Sequence, residues 1–289
     1  MLSYRHGYHA GNFADVFKHI VLTVLLQALA RKDRPFIYID THAGAGRYDL
    51  RSESAHKNRE FDSGIGRIWS ESNPPAAVAA YLNAVAACNR GATANTQRGE
   101  AALPRWYPGS PRIAAHFLRA DDRMILAELH SSEQPLLQRE FQNDQRVTIV
   151  RGDGYHLLKS QLPPSERRGL VLIDPSYEPR EEIKYVIDAL RDGHTRWASG
   201  SYAIWYPILP KIAVARLHRR VIDIGFEKIL CVELCVLPDD SPLGMNGNGM
   251  LLINPPYLVD EQLNEFMPWL HAHLDVGGGR HSIRWLTAL

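Results

Sequence analysis

Two apolar segments near the end of the chain, residues 228–237 (KILCVELCVL) and 249–254 (GMLLIN), are joined only by the turn-prone stretch 238–248. That stretch is too short for a right-handed helical crossover, so the two strands must run antiparallel. The five strand-like segments upstream obey a different rule. Residues 36–40 (FIYID), 123–128 (RMILAE), 147–151 (VTIVR), 170–174 (LVLID) and 201–206 (SYAIWY) are each followed by a turn rich in Gly, Asp, Ser or Pro and then by a helical stretch. This is how a parallel sheet covered on both faces reads in sequence. The prediction is a doubly wound α/β sheet of seven strands, five parallel and then an antiparallel pair, which departs from the six parallel strands of the dinucleotide-binding fold.

Two segments fall outside this rhythm. Residues 14–30 carry apolar side chains at helical spacing, with Asp15 near the start and Arg31-Lys32 at the end, as a helix dipole prefers. The connection from Thr41 to Asp122 is far longer than a crossover needs, and residues 63–88 within it are Ala-rich and helical in character. We read residues 48–106 as an inserted helical subdomain of a main domain formed by 1–47 and 107–289. The composition, 45% hydrophobic and 22% charged, is that of a globular chain, with no apolar run approaching the ~18 residues of a spanning helix. The first residues do not read as a secretory signal, and the expectation is a cytoplasmic protein that meets no membrane. Cys88, Cys231 and Cys235 form no Cys-x-x-Cys pair and read as buried thiols. None of the 13 histidines has a zinc-site spacing, so no metal is expected. A net charge of +1 excludes a general polyanion binder, and any nucleic-acid contact must come from local clustering.

Four constellations carry chemistry. In Asp40-Thr-His-Ala-Gly-Ala-Gly46, glycines at alternate positions (Gly44, Gly46) let the backbone turn sharply and approach a ligand. The same letters suit a tight loop or a phosphate site. Glu128 ends the second strand, where a carboxylate can accept both hydroxyls of a ribose, although a solvent-facing carboxylate reads the same. Asp153-Gly154 follows the third strand, where Asp can accept from an adenine amino group while the next amide donates, and Gly-Asp-Gly is also a common turn. The sharpest is Asp174-Pro175-Ser176-Tyr177 after the fourth strand. A carboxylate and a fixed carbonyl could each take one N–H of an aromatic amine and aim its lone pair at an electrophilic methyl, with Tyr177 as a stacking face. A Pro-terminated strand with a half-buried Tyr is the plainer reading.

The tetrapeptide resembles the Asp/Asn-Pro-Pro-Tyr motif of amino-methyltransferases. Along its whole length the chain is similar to the bacterial family of adenine-N6 methyltransferases acting on 23S rRNA. The stretches that carry the resemblance are Met1-Leu-Ser-Tyr-Arg-His6, His9-Ala-Gly-Asn12, Asp15, Lys18-His19, Asp40-Thr-His-Ala-Gly-Ala-Gly-Arg-Tyr48, Tyr107-Pro-Gly-Ser-Pro111, Glu128-Leu-His130 and Trp205-Tyr-Pro207. The resemblance implies a Rossmann-like class I methyltransferase fold and S-adenosyl-L-methionine as cofactor. By the same resemblance His19, His42, Ser110, Glu128, Asp153 and Gly154 correspond to cofactor contacts, Asp174 to the catalytic residue, and Tyr4 to a residue touching RNA, with Arg5 and His6 beside it. It implies 23S rRNA or an assembly intermediate as substrate and direct in-line transfer to N6. A monomer without an obligatory protein partner is expected. One departure stands out: Ser176 replaces the second proline, so the loop loses a rigid residue and gains an N–H and a hydroxyl that need partners.

Asn254-Pro-Pro-Tyr257 matches the general motif letter for letter. It ends a strand read as antiparallel, so it is expected at the edge of the sheet opposite the cofactor crevice. The Arg/aromatic cluster around Trp106 is open to two readings, stacking plus phosphate contact with RNA or simple surface packing. Three rival functions remain: the same chemistry on DNA adenine, a non-catalytic RNA-binding protein with a degenerate site, and an NAD-dependent oxidoreductase, for which the full glycine fingerprint is missing.

Overall fold

The computed structural model describes residues 5–90, 103–179, 181–208, 211–239, 241 and 245–287. Helix α1 (Phe13–Ala30) starts where the Asn12 side chain accepts from the Asp15 N–H at 2.9 Å, a cap that ends the preceding turn and begins the helix. Strand β1 (Ile37–Asp40) follows, then β2 (Arg47–Asp49), α2 (Glu53–Asn58), α3 (Ile65–Ile68), α4 (Ala76–Cys88), β3 (Trp106–Pro108) and α5 (Ser110–Phe117). The remainder alternates as β4 (Arg123–Glu128), α6 (Gln134–Phe141), β5 (Val147–Arg151), α7 (Gly154–Gln161), β6 (Gly169–Ile173), α8 (Glu182–Trp197), β7 (Ser201–Ile208) and α9 (Lys211–Ile222). It closes with β8 (Ile229–Cys235), β9 (Gly247–Ile253), α10 (Val259–Leu274) and β10 (Arg280–Thr287).

The main sheet has the order β10-β8-β9-β7-β6-β1-β4-β5. β5, β4, β1, β6 and β7 run parallel, and β9 lies antiparallel between β7 and β8. The expected seven strands are therefore eight. β10 pairs antiparallel with β8 as a half-exposed edge whose alternation is blurred by Arg280, His281 and Arg284, so periodicity alone does not reveal it. Successive residues of β1 point to opposite faces, Tyr38 toward the layer of α1, α5 and α10 and Ile37 and Ile39 toward α7 and α8, which gives a core on each side.

Helix α1 corrects a second expectation, for by length and composition it is apolar enough to cross a membrane. Most of it is buried, because it packs against α4, α5 and α10 and the sheet, so it serves as the central helix of one layer. Within 48–106, Phe61, Ile65, Ile68, Val78, Tyr81 and Val85 join the same apolar cluster as α1. Gly64 sits so close to the N-terminal segment that a Cβ there would lie 2.1 Å from the Gly11 carbonyl oxygen, and the Ile65 N–H donates to that oxygen at 2.9 Å. The two-stranded ribbon β2–β3 closes the segment at its ends.

Candidate active site

The turn after β1 is built on a buried acid. Asp40 accepts from the Tyr38 hydroxyl and the Ser110 hydroxyl, each at 2.7 Å, and from the His42 N–H at 3.1 Å. Burial pushes its carboxyl up to about 6 against the pull of these bonds. The chain then enters left-handed backbone at Gly44 (φ 60°), where a Cβ would lie 2.2 Å from the Tyr48 hydroxyl. The Gly44 N–H donates to Glu128 Oε2 at 2.7 Å and the His130 N–H to Oε1 at 2.6 Å, so the end of β4 is tied to the turn after β1. Gly46 also has positive φ, but its open side faces Leu137 and Phe141 and its carbonyl accepts from Gly109 N–H. It shapes the turn from beneath and does not line the cavity.

Asp153 caps α7 by accepting from the Tyr155 N–H at 2.8 Å. Its neighbour Gly154 presses on the β1 turn, where a Cβ would meet the Thr41 carbonyl oxygen at 2.0 Å. His42, bonded to the Thr41 hydroxyl at 2.8 Å and edge-on to Tyr155, is pushed down to about 4 by burial. His19 is pushed down to about 3 by burial and meets the Tyr107 hydroxyl at 2.9 Å, which in turn meets Tyr81 at 3.0 Å. Both imidazoles are therefore neutral near pH 7.

At the end of β6, next to β1, stand Asp174 and Pro175. Lys18 from α1 donates to Asp174 Oδ2 at 2.6 Å and pairs with Asp15 Oδ1 at 3.0 Å. Asp15 Oδ2 also takes His6 Nε2 at 2.8 Å and the Gly11 N–H at 2.9 Å. Burial alone would raise the Asp15 carboxyl, yet the charges of His6 and Lys18 hold it well below the usual carboxylate range. Tyr177 has φ 55°, a left-handed conformation that costs a non-glycine residue about 1 kcal/mol. The loop holds it there through its hydroxyl, which donates to the Trp205 carbonyl at 2.8 Å, and through its ring, 6.0 Å from that of Trp205. The Ser176 hydroxyl finds a partner in the Glu178 N–H at 3.4 Å.

These groups face one cavity of about 740 Å³. Of the residues singled out in the sequence, His6, His19, His42, Gly44, Ser110, Glu128, Asp153, Gly154, Asp174, Pro175 and Tyr177 line it; Gly46 and Arg5 do not, and Tyr4 lies outside the described residues. Sequence reasoning gave no role at the site to Asp15, Lys18 or Trp205, nor to Glu60, whose carboxylate receives His9 at 2.9 Å and Asn12 at 3.0 Å. The signal available was a charged and titratable trio, Asp15, Lys18 and His19, in the first turns of a mostly apolar helix.

The Asn254 corner sits at the other end of the sheet. Ile253 pairs with Tyr202 at the start of β7, whereas Trp205 and Pro207, further along β7, line the cavity. Among the described residues one His/Cys/Glu group has ligand atoms within 4.8 Å of one another, His218, Cys231 and Glu233. The Tyr206 hydroxyl lies among them, 2.8 Å from His218, 2.9 Å from Glu233 and 3.4 Å from Cys231, so the group is a hydrogen-bonded network in which burial pushes the Cys231 thiol up to about 12.

A doubly wound sheet with this strand order, a glycine turn tied to the carboxylate of the next strand, and Asp-Pro at the end of the neighbouring strand define a class I methyltransferase fold. The family model described as "Ribosomal RNA large subunit methyltransferase D, RlmJ" matches residues 33–287, and the chain belongs to this family. The protein named ribosomal RNA large subunit methyltransferase J of Escherichia coli (strain K12) is 45% identical over 288 residues, covering 99% of both chains. Its namesake from Haemophilus influenzae is 42% identical over 288 residues, again with 99% of both covered. A crystal structure of a Legionella pneumophila protein, 34% identical, superposes with a TM-score of 0.85 over 96% of this chain and 98% of that one.

Proposed function

We propose that this chain transfers the methyl group of S-adenosyl-L-methionine to N6 of an adenine in 23S rRNA. The observation that carries the reading is the meeting of Asp174 and Pro175 with the glycine turn of β1 in one cavity. The cavity suits such a cofactor in three respects. Its volume lies in the range of ligand pockets. Gly44 and Gly154 bring backbone to its wall, packed so closely on the Tyr48 hydroxyl and the Thr41 carbonyl that a Cβ at either would push the turn apart. His19 and His42, two of the histidines that line it, are held neutral by burial, so neither opposes a sulfonium. Glu128 and Asp153 would hold the ribose and adenine ends, and Gly44, Ser110 and the Asp40 turn the rest. When bound, the cofactor supplies a methyl group on a positively charged sulfur.

The residues of the chain supply the remainder. An adenine amine is a poor nucleophile because its lone pair is delocalised into the ring. Two acceptors, the Asp174 carboxylate and the Pro175 carbonyl, draw its two N–H groups out of that geometry and stabilise the positive charge that develops on nitrogen. Lys18 engages Asp174 Oδ2 and so fixes the carboxylate plane, with Oδ1 outside that pair. Asp174, already at an N–H of the amine, is the group positioned to take the proton that nitrogen must lose. The Tyr177 ring, clamped through its hydroxyl, offers the extruded base a fixed face. We further propose that 48–106, packed on the N-terminal segment, helps to form the wall the RNA approaches.

Incubating the protein with tritiated cofactor and unmodified 23S rRNA or duplex DNA, then identifying the labelled nucleoside by mass spectrometry, tests the reading. Label recovered as N6-methyladenosine from the RNA is expected. Label in DNA alone, or cofactor binding with no transfer to RNA, would refute it.

A further inference from the structure

Pairing of Tyr48 with Tyr107 in the β2–β3 ribbon turns both tyrosines inward, Tyr48 onto the cavity and Tyr107 onto His19. Alternation then places Arg47, Asp49 and Trp106 on the opposite, outward face. There two guanidinium groups stand over the Trp106 ring, Arg47 at 4.4 Å and Arg105 at 4.9 Å from its centroid. Arg112 joins them through Glu140, which it meets at 2.8 Å while Arg47 meets the same carboxylate at 3.1 Å. Arg105 reaches Asp49 through Nε and Nη2, at 3.3 and 3.1 Å, so its Nη1 amino group is not part of that pair. Three guanidinium groups thus share two carboxylates, and each arginine side chain keeps about a third of its surface exposed (32%, 39% and 36%). Asn89 at the end of α4 holds the Trp106 N–H and carbonyl at 2.8 Å each, which stiffens the platform.

We infer that this outward face docks the phosphodiester backbone of the RNA that flanks the target base. The inference rests on RNA being the substrate. Pre-ordered guanidinium forks stacked on an aromatic ring, in excess over their carboxylates and one residue away from a cavity-lining tyrosine, match a polyanion whose reacting base is drawn into that cavity. Such a contact adds affinity without touching the reacting atoms.

The test is filter binding of unmodified, in vitro transcribed 23S rRNA over a range of salt concentrations, together with steady-state methylation. It compares the wild type with Arg105→Gln/Arg112→Gln and Arg105→Lys/Arg112→Lys. The glutamine pair should bind about tenfold more weakly, with the slope of log affinity against log salt shallower by about 1.5, roughly 0.7–0.9 per lost phosphate contact. The lysine pair should keep most of the slope, and kcat at saturating RNA and cofactor affinity should not change. A wild-type slope in the glutamine pair overturns the inference, as does a parallel loss of cofactor affinity and thermal stability, which would make the arginines mere braces of the ribbon. Salt-dependent binding with these slopes but no methyl transfer would refute the proposed chemistry and leave this surface standing.

Discussion

The chain carries nearly the same four-residue phrase twice, Asp174-Pro-Ser-Tyr177 after β6 and Asn254-Pro-Pro-Tyr257 after β9, and the sheet gives the two opposite fates. Both corners force a residue into left-handed backbone, Tyr177 at φ 55° and Asn254 at φ 47°. At the first corner the tyrosine is clamped to Trp205 and the acid is met by Lys18. At the second the asparagine amide is spent on the Ala198 and Gly200 carbonyls, at 2.8 and 2.9 Å, and Tyr257 stands 85% exposed. Strand direction decides the difference, because β6 runs toward the glycine turn and β9 runs away from it. A motif in a doubly wound sheet therefore has meaning only with the polarity of the strand that delivers it.

The comparison can be broken at several points, and the largest effect belongs to Asp174→Ala. Removing the charged acceptor should lower kcat about 10²–10³-fold with cofactor affinity retained, measured by methyl transfer and by calorimetry. Next comes Lys18→Met, which leaves Asp15 and Asp174 facing each other without their shared, buried cation. Urea denaturation should show a loss of about 3 kcal/mol, together with slower transfer. An unchanged stability would mean that the pair is idle.

The cavity corner should also answer to acid. His19 and His42 stay neutral in the fold down to about pH 3 and 4 but are protonated below about 6.5 in the unfolded chain, so their contribution to stability falls as pH drops. Asp40, raised to about 6, works in the opposite sense, since its folded form holds a proton that the unfolded chain releases, and stability falls as pH rises toward 6. His19→Gln should therefore reduce the slope of stability against pH by about 1.4 kcal/mol per unit between pH 4 and 6. Equal slopes in the two proteins would contradict the buried, neutral imidazole.

At the other corner effects shrink to structure alone. Asn254→Ala loses two hydrogen bonds and a residue suited to positive φ, for about 1–2 kcal/mol. Tyr257→Ala should stay within about 0.5 kcal/mol by thermal denaturation, as befits an exposed side chain.

Much of the sheet was legible in sequence because buried parallel strands are short, apolar and punctuated by turn residues, and the antiparallel pair followed from a short connection. The edge strand β10 escaped because half its residues face solvent and its pairing rests on backbone bonds to β8, with Ser282 and Arg280 reaching Glu233. The ribbon β2–β3 escaped because three-residue strands far apart in the chain carry no period. At the site, the glycine turn, Glu128, Asp153 and Asp174 could be named because each ends a strand. Lys18 could not, since only the packing of α1 across the sheet brings it within 2.6 Å of a carboxylate 156 residues away.

The most direct measurement sets Asp174→Ala beside Asn254→Ala in one methyl-transfer assay on unmodified 23S rRNA. Loss of transfer in the first with wild-type kcat in the second is the expected outcome. Full transfer by Asp174→Ala, or its loss in Asn254→Ala without unfolding, would contradict the assignment of the acceptor corner to β6.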